Sequence, residues 1–148
     1  MLSWVLLVCT AFATPKYLTI EKIPSISAKP GASLTVAIPI SVEKEYHVHS
    51  NPAASKQYIA TELKLEPAEK IKIGQPQYPR GKSYRMQSSP TEISIYDGRF
   101  QIRVPVMMAT DFKKGSSELK GTLHFQACND KICFFPQTIP VVIPVSVQ

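Results

Sequence analysis

The sequence predicts an all-β domain, a sandwich or barrel, on three observations. Nine short segments carry a period of two or a buried apolar run, turn-forming residues separate them, and no long window carries a helical period. Thirteen prolines against six glycines also fit short, punctuated strands better than a helix bundle.

Taken in order, residues 17–23 form the first predicted strand, and Lys29-Pro30-Gly31 marks a turn after it. Residues 33–42 alternate, with Leu34, Val36, Ile38, Ile40 and Val42 on one face. The segment 46–50 ends at Asn51-Pro52, and a short helix is expected over 52–58. Residues 61–66 and 70–73 alternate leucine or isoleucine with lysine and glutamate, the pattern of a half-solvated sheet. Residues 74–90, rich in Gln, Pro, Ser and Tyr, read as a long loop. Asp97-Gly98 joins the strands 92–96 and 100–109 as a hairpin turn. After Lys113-Lys114-Gly115 come the last two strands, 119–127 and 138–147. Pro39, Pro105, Pro140 and Pro144 sit inside these patterns and lack a ladder donor, so they belong at edges, bulges or strand ends.

Residues 1–13 read separately. The apolar run from Trp4 ends in Ala11-Phe12-Ala13, an A-x-A-like cleavage site before Thr14-Pro15-Lys16, so 1–13 is expected to be a signal peptide and 14–148 a single domain. Cys9 as a lipoprotein's acylated residue is the weaker reading: Val8 stands where a small residue is wanted. No other stretch approaches the roughly 18 apolar residues of a membrane span. The expected product is exported and soluble, and it keeps Cys128 and Cys133 alone. An even pair in an oxidising compartment favours a disulfide over a metal site.

The formal charge is +6, densest in Arg80-Gly81-Lys82-Ser83-Tyr84-Arg85. Elsewhere lysines alternate with apolar residues, which describes a solvated sheet face, and no nucleic-acid motif accompanies them. No nucleic-acid partner is expected. A G-x-S-x-G elbow, a phosphate-cradling glycine loop and paired carboxylates are all missing, so neither a cofactor nor a small-molecule substrate is expected.

Chemistry concentrates in Cys128-Asn129-Asp130-Lys131-Ile132-Cys133. If its flanks pair as a hairpin, the two sulfurs meet across the neck within disulfide reach. Two readings stay open: a structural staple, and a reversible dithiol. A ring this small restricts the unfolded chain by only about 2 kcal/mol, which argues mildly against a staple. For exchange, Lys131 favours a thiolate, while Asp130 opposes it, helps accept a proton, or merely shapes the turn. Ile132, Phe134 and Phe135 supply an apolar surface for a docking partner. His47 and His49, two apart on a strand, share a face and are candidate metal ligands, with His124 a third; a polar strand face is the simpler explanation.

The run Phe125-Gln126-Ala127-Cys128 to Cys133-Phe134-Phe135-Pro136 resembles the active-site hairpin of the N-terminal periplasmic domain of the thiol–disulfide interchange protein DsbD. Tyr46-His47-Val48-His49-Ser50-Asn51-Pro52, Thr61-Glu62-Leu63-Lys64-Leu65 and Val104-Pro105-Val106 resemble that family's strands. The resemblance implies an immunoglobulin-like β-sandwich in the periplasm, acting as a thiol–disulfide oxidoreductase. It would relay reducing equivalents from a membrane or thioredoxin-like donor to periplasmic thioredoxin-fold partners. By the same resemblance Cys133 joins partners in mixed disulfides, Cys128 resolves them, and Cys9 has no counterpart. Family members continue into membrane spans and a thioredoxin domain; here the expectation is either a separate membrane electron-transfer module or a truncated or split gene product. Their cap loop carries a phenylalanine over the disulfide. The matching segment 86–91 holds Ser88-Ser89-Pro90 and no aromatic, which leaves Tyr84 or Met86 to shield the pair. The alternative is a non-catalytic immunoglobulin-like binding module with a structural Cys128–Cys133 bridge and a partner on 74–90.

Overall fold

Alternating burial decides the layers. Along Ser33–Val42 the residues Val36, Ile38, Ile40 and Val42 are buried and those between them are not, and Arg99–Met108 repeats the pattern with Ile102, Val104, Val106 and Met108. The computed structural model describes residues 16–148, so the predicted signal peptide and Cys9 lie outside the described residues. In chain order its strands are β1 (Leu18–Ile20), β2 (Ile26–Ala28), β3 (Ser33–Val42), β4 (His47–His49), β5 (Glu62–Leu65) and β6 (Ile71–Ile73). They continue with β7 (Lys82–Arg85), β8 (Glu92–Tyr96), β9 (Arg99–Met108), β10 (Gly115–Phe125), β11 (Ala127–Cys128) and β12 (Gln137–Val147).

Two four-stranded sheets, β1-β3-β9-β6 and β2-β12-β10-β5, supply the sandwich, and a third, β11-β4-β8-β7, carries the cysteines. The inner faces meet through Ile38, Ile40, Ile102 and Val104 on one side and Leu119, Leu123, Phe125 and Ile143 on the other, all fully buried. Each such side chain stabilises the fold by roughly 1.5–3 kcal/mol. β10 and β12 form an unbroken antiparallel hairpin from Gly115↔Val147 to Phe125↔Gln137. Gly121 is what lets β5 lie against it: a Cβ there would stand 2.2 Å from the Lys64 carbonyl oxygen.

The prolines sit in central strands, yet each faces a place where the neighbour has stopped. β1 ends opposite Ile40, and Pro39, one residue on, offers only its carbonyl, to the Glu21 N–H at 2.9 Å. β6 ends opposite Val106, and the Pro105 carbonyl takes the Gly74 N–H at 2.8 Å. β2 covers only Val145–Val147 of β12. Gln148 donates its N–H to Ala28 on that side, and a period of two points the nitrogens of Pro144 and Pro140 the same way, where no described strand pairs with β12. The missing donors therefore cost no ladder bond.

Two expectations are corrected. The described residues contain no helix: 52–58 is a series of bends and turns after a cis Asn51-Pro52 bond, its one backbone turn bond running from Tyr58 N–H to the Ser55 carbonyl. The segment 74–90 is not one loop, because Lys82–Arg85 pairs with β8 and Gln77 bridges to Arg103. Its basic and polar Lys82–Arg85 carries no apolar alternation, and the strand it pairs with begins after six intervening residues.

Candidate functional site

The third sheet grows from the ends of the long strands. β4 follows β3 after a four-residue turn, β8 runs into β9 at Asp97-Gly98, and β11 continues β10 past Gln126. Opposed residues share a face, so the pairs Cys128↔His47, His49↔Ile95 and Tyr84↔Ile93 collect these side chains together. The other face presents Ala127, Val48 and Tyr96, which join the main core. Register alone thus places both imidazoles beside the cysteine that the sequence sets 79 residues from His49.

Beyond β11 the chain turns back on itself. Cys128 and Cys133 face each other as an antiparallel bridge and are joined as a disulfide, with Cα atoms 4.0 Å apart. Asn129 holds the turn: its N–H donates to the Ile132 carbonyl at 2.9 Å, and its Oδ1 accepts the N–H groups of Lys131 and Ile132, both at 2.9 Å. The turn-shaping considered for Asp130 is therefore done by its neighbour. The Asp130 carboxylate instead accepts a hydrogen bond from the Tyr84 hydroxyl, tying β7 to the cysteine loop. Lys131 is exposed on the same loop. Met86 lies in the β7–β8 turn, its carbonyl accepting the Ser89 N–H at 3.2 Å.

The return limb is anchored inward. Phe134 donates its N–H to the Ala127 carbonyl at 2.8 Å, and Gln126 Nε2 donates to the Phe134 carbonyl at 3.0 Å. The Phe134 ring stacks on Tyr17 at 4.8 Å and meets Tyr46 edge-on at 5.8 Å, so of the apolar residues here it packs rather than presents itself. Its neighbours do the opposite: Ile132 is 55% exposed and Phe135 92% exposed. The cysteines divide likewise. Cys128 has no exposed surface, whereas Cys133 is exposed.

The imidazoles have separate surroundings. His47 lies 4.6 Å, ring to ring, from Tyr84, and His49 lies 4.8 Å from Tyr58. His49 Nδ1 sits 3.3 Å from the Ile59 carbonyl oxygen, and its Nε2 lies 3.8 Å from Cys128 Sγ. Burial holds both imidazoles below the ordinary histidine range; for His47 the nearby His49 adds to this, while Asp130 and Asp97 act against it. His124 is elsewhere, on β10, with Nδ1 2.9 Å from the Thr138 hydroxyl. Among the described residues, the metal-ligating atoms that do converge are those of His49, Cys128 and Cys133, within 4.8 Å of one another. Here the two sulfurs are bonded to each other, and a disulfide offers no thiolate to a metal. What the arrangement can do directly is thiol exchange: an accessible sulfur can be attacked, and a sheltered one beside it can attack back.

Comparison with known proteins agrees. A family model described as thiol:disulfide interchange protein DsbD, N-terminal, matches residues 14–143. No curated protein matches the chain in sequence. Among solved structures, the N-terminal periplasmic domain of ScsB from Proteus mirabilis is similar in fold. Its TM-score is 0.52 at 9% identity, over 79% of this chain and 42% of that one. This chain thus spans less than half the length of the ScsB chain. The reduced N-terminal domain of Neisseria meningitidis DsbD gives a TM-score of 0.47 at 18% identity, over 80% of each chain. With the family match covering nearly all of the described sandwich, the chain belongs to the DsbD N-terminal family of periplasmic, immunoglobulin-like thiol–disulfide exchange domains.

Proposed function

We propose that this domain is exported after loss of residues 1–13 and relays reducing equivalents through Cys128 and Cys133. A membrane module or thioredoxin-like donor loads the pair, and periplasmic thioredoxin-fold proteins unload it. The observation that carries this reading is the unequal exposure of the two cysteines, Cys133 an exposed residue and Cys128 without surface. A visiting thiolate can attack the Cys133 sulfur in line with the bridge and expel Cys128. In the opposite direction Cys133 attacks a partner's disulfide, and Cys128 then resolves the mixed disulfide. Ile132 and Phe135 flank the open sulfur with the apolar surface a partner needs, and the Tyr84–Asp130 bond supports the loop from behind. A staple explains less, since the β10–β12 ladder already holds the neck closed.

The test is trapping. Cys128→Ser should accumulate a mixed disulfide through Cys133 with a thioredoxin-fold partner, and Cys133→Ser should accumulate none. A wild-type bridge inert to a reduced thioredoxin-fold protein, with nothing trapped by Cys128→Ser, would reject the relay.

A further inference from the structure

We propose that His49 is the proton acceptor for Cys128 at the moment Cys128 resolves a mixed disulfide held on Cys133. This rests on the exchange reading above and assigns its slow proton a destination. A carbonyl oxygen can only accept, so the approach of His49 Nδ1 to the Ile59 carbonyl at 3.3 Å fixes the proton on Nδ1. Nε2 is then left with its lone pair, and it faces Cys128 Sγ at 3.8 Å. In the disulfide that sulfur has no proton to give. Once reduced it carries one, and the acceptor is already in place.

Burial keeps the imidazole neutral at neutral pH, as a base must be. The titratable groups facing it are Cys128 and Cys133, the phenol of Tyr58 and, along its own strand, His47; Asp97 and Asp130 act on His47 instead. Near neutral pH water is a poor substitute, because Cys128 has no exposed surface in the disulfide form.

The step balances as follows. Cys133 is linked to one partner sulfur, and the partner's other cysteine has already left as a thiol. Cys128 S–H passes its proton to His49 Nε2, and its sulfur attacks the Cys133 sulfur. The Cys128–Cys133 bond forms, the Cys133–partner bond breaks, and the partner sulfur departs as a thiolate that is protonated by the imidazolium or by water. Two electrons pass from the pair to the partner. An ordinary thiol is only about 3% thiolate at pH 7, so a base that ionised it completely would speed its attack by about 30-fold.

The experiment uses the reduced protein and an aromatic disulfide reagent that releases one coloured thiolate per attack. The first release reports attack by Cys133, and the second reports resolution by Cys128. His49→Gln and His49→Leu should leave the first phase within about twofold of wild type and slow the second at least tenfold at pH 7. That deficit should shrink as pH rises past the thiol's own pKa, where hydroxide replaces the missing base. A second phase of wild-type rate, or a deficit equal at every pH, overturns the proposal. An absent first phase in wild-type protein instead sinks the exchange reading, and this one with it. Ring-nitrogen NMR of reduced wild-type protein needs no variant: the expected His49 form carries its proton on Nδ1, and a proton on Nε2 overturns the assignment.

Discussion

Reducing the Cys128–Cys133 bond should weaken the domain modestly and leave it folded. The bridged residues are only 5 apart in sequence, and chain-entropy theory gives a ring of that size about 2 kcal/mol at 25 °C. Nothing in the native state adds to that figure, because the β10–β12 ladder runs unbroken to Phe125↔Gln137 and the Phe134 ring is held independently by Tyr17 and Tyr46. With an unfolding entropy of about 2.1 cal/mol/K per residue, a loss of this size lowers Tm by about 7 °C in a domain of this length. Truncating one core side chain costs more: Phe125→Ala, fully buried, should cost about 3–5 kcal/mol. The assay is urea and thermal unfolding of the oxidised protein and of the same protein under reductant, followed by near- and far-UV circular dichroism. A reduced domain that is unfolded at 25 °C, or weaker by more than about 5 kcal/mol, refutes the reasoning. Its bridge would then be a structural part, and no exchange could take place on a folded domain.

Two further outcomes are expected. Ile132→Asp with Phe135→Asp should leave stability unchanged and slow exchange with protein partners at least fivefold, while the rate with a small disulfide reagent stays the same. Equal slowing of both would show that these residues tune the sulfur and do not dock a partner. Stability should also fall as pH drops below about 6.5. Above that value His47 and His49 are neutral in both states; below it the unfolded chain binds protons that the buried imidazoles refuse. The slope is at most about 1.4 kcal/mol per pH unit for each histidine until its lowered folded-state pKa is passed. Urea midpoints at pH 7.5, 6 and 5 measure it, and a His47→Gln/His49→Gln variant with an undiminished slope would exclude these two groups as its source.

Much of the fold was legible because long strands advertise themselves. The alternation along 33–42, 100–109 and 138–147 survives into the structure nearly residue for residue, and Asp97-Gly98 is the turn between β8 and β9. The short pieces were not legible. β2, with three residues, and β11, with two, hold their places through pairing with distant strands, and no local pattern encodes that. The same holds for the site. The cysteine spacing exposed the disulfide, but the sequence reading joined His49 to His47 and His124 as potential ligands. The β11–β4 register, a tertiary fact, is what brings His49 to Cys128 and leaves His124 on another sheet. The loop was legible as a set of turn-formers, but which of them holds the turn was not: the expectation fell on Asp130, whereas Asn129 Oδ1 is the atom that reaches the Lys131 and Ile132 N–H groups.

The placement of the prolines has a consequence for how copies of this domain meet. Where β2 stops short, no other described strand pairs with that flank of β12, and an unpaired flank is where a stray strand begins templated, fibril-like growth. Pro140 and Pro144 turn donor-less nitrogens toward that flank, so an arriving strand finds two rungs of its ladder gone and no way to propagate. The domain can therefore leave its cysteine loop open to visitors while this flank of β12 resists added strands.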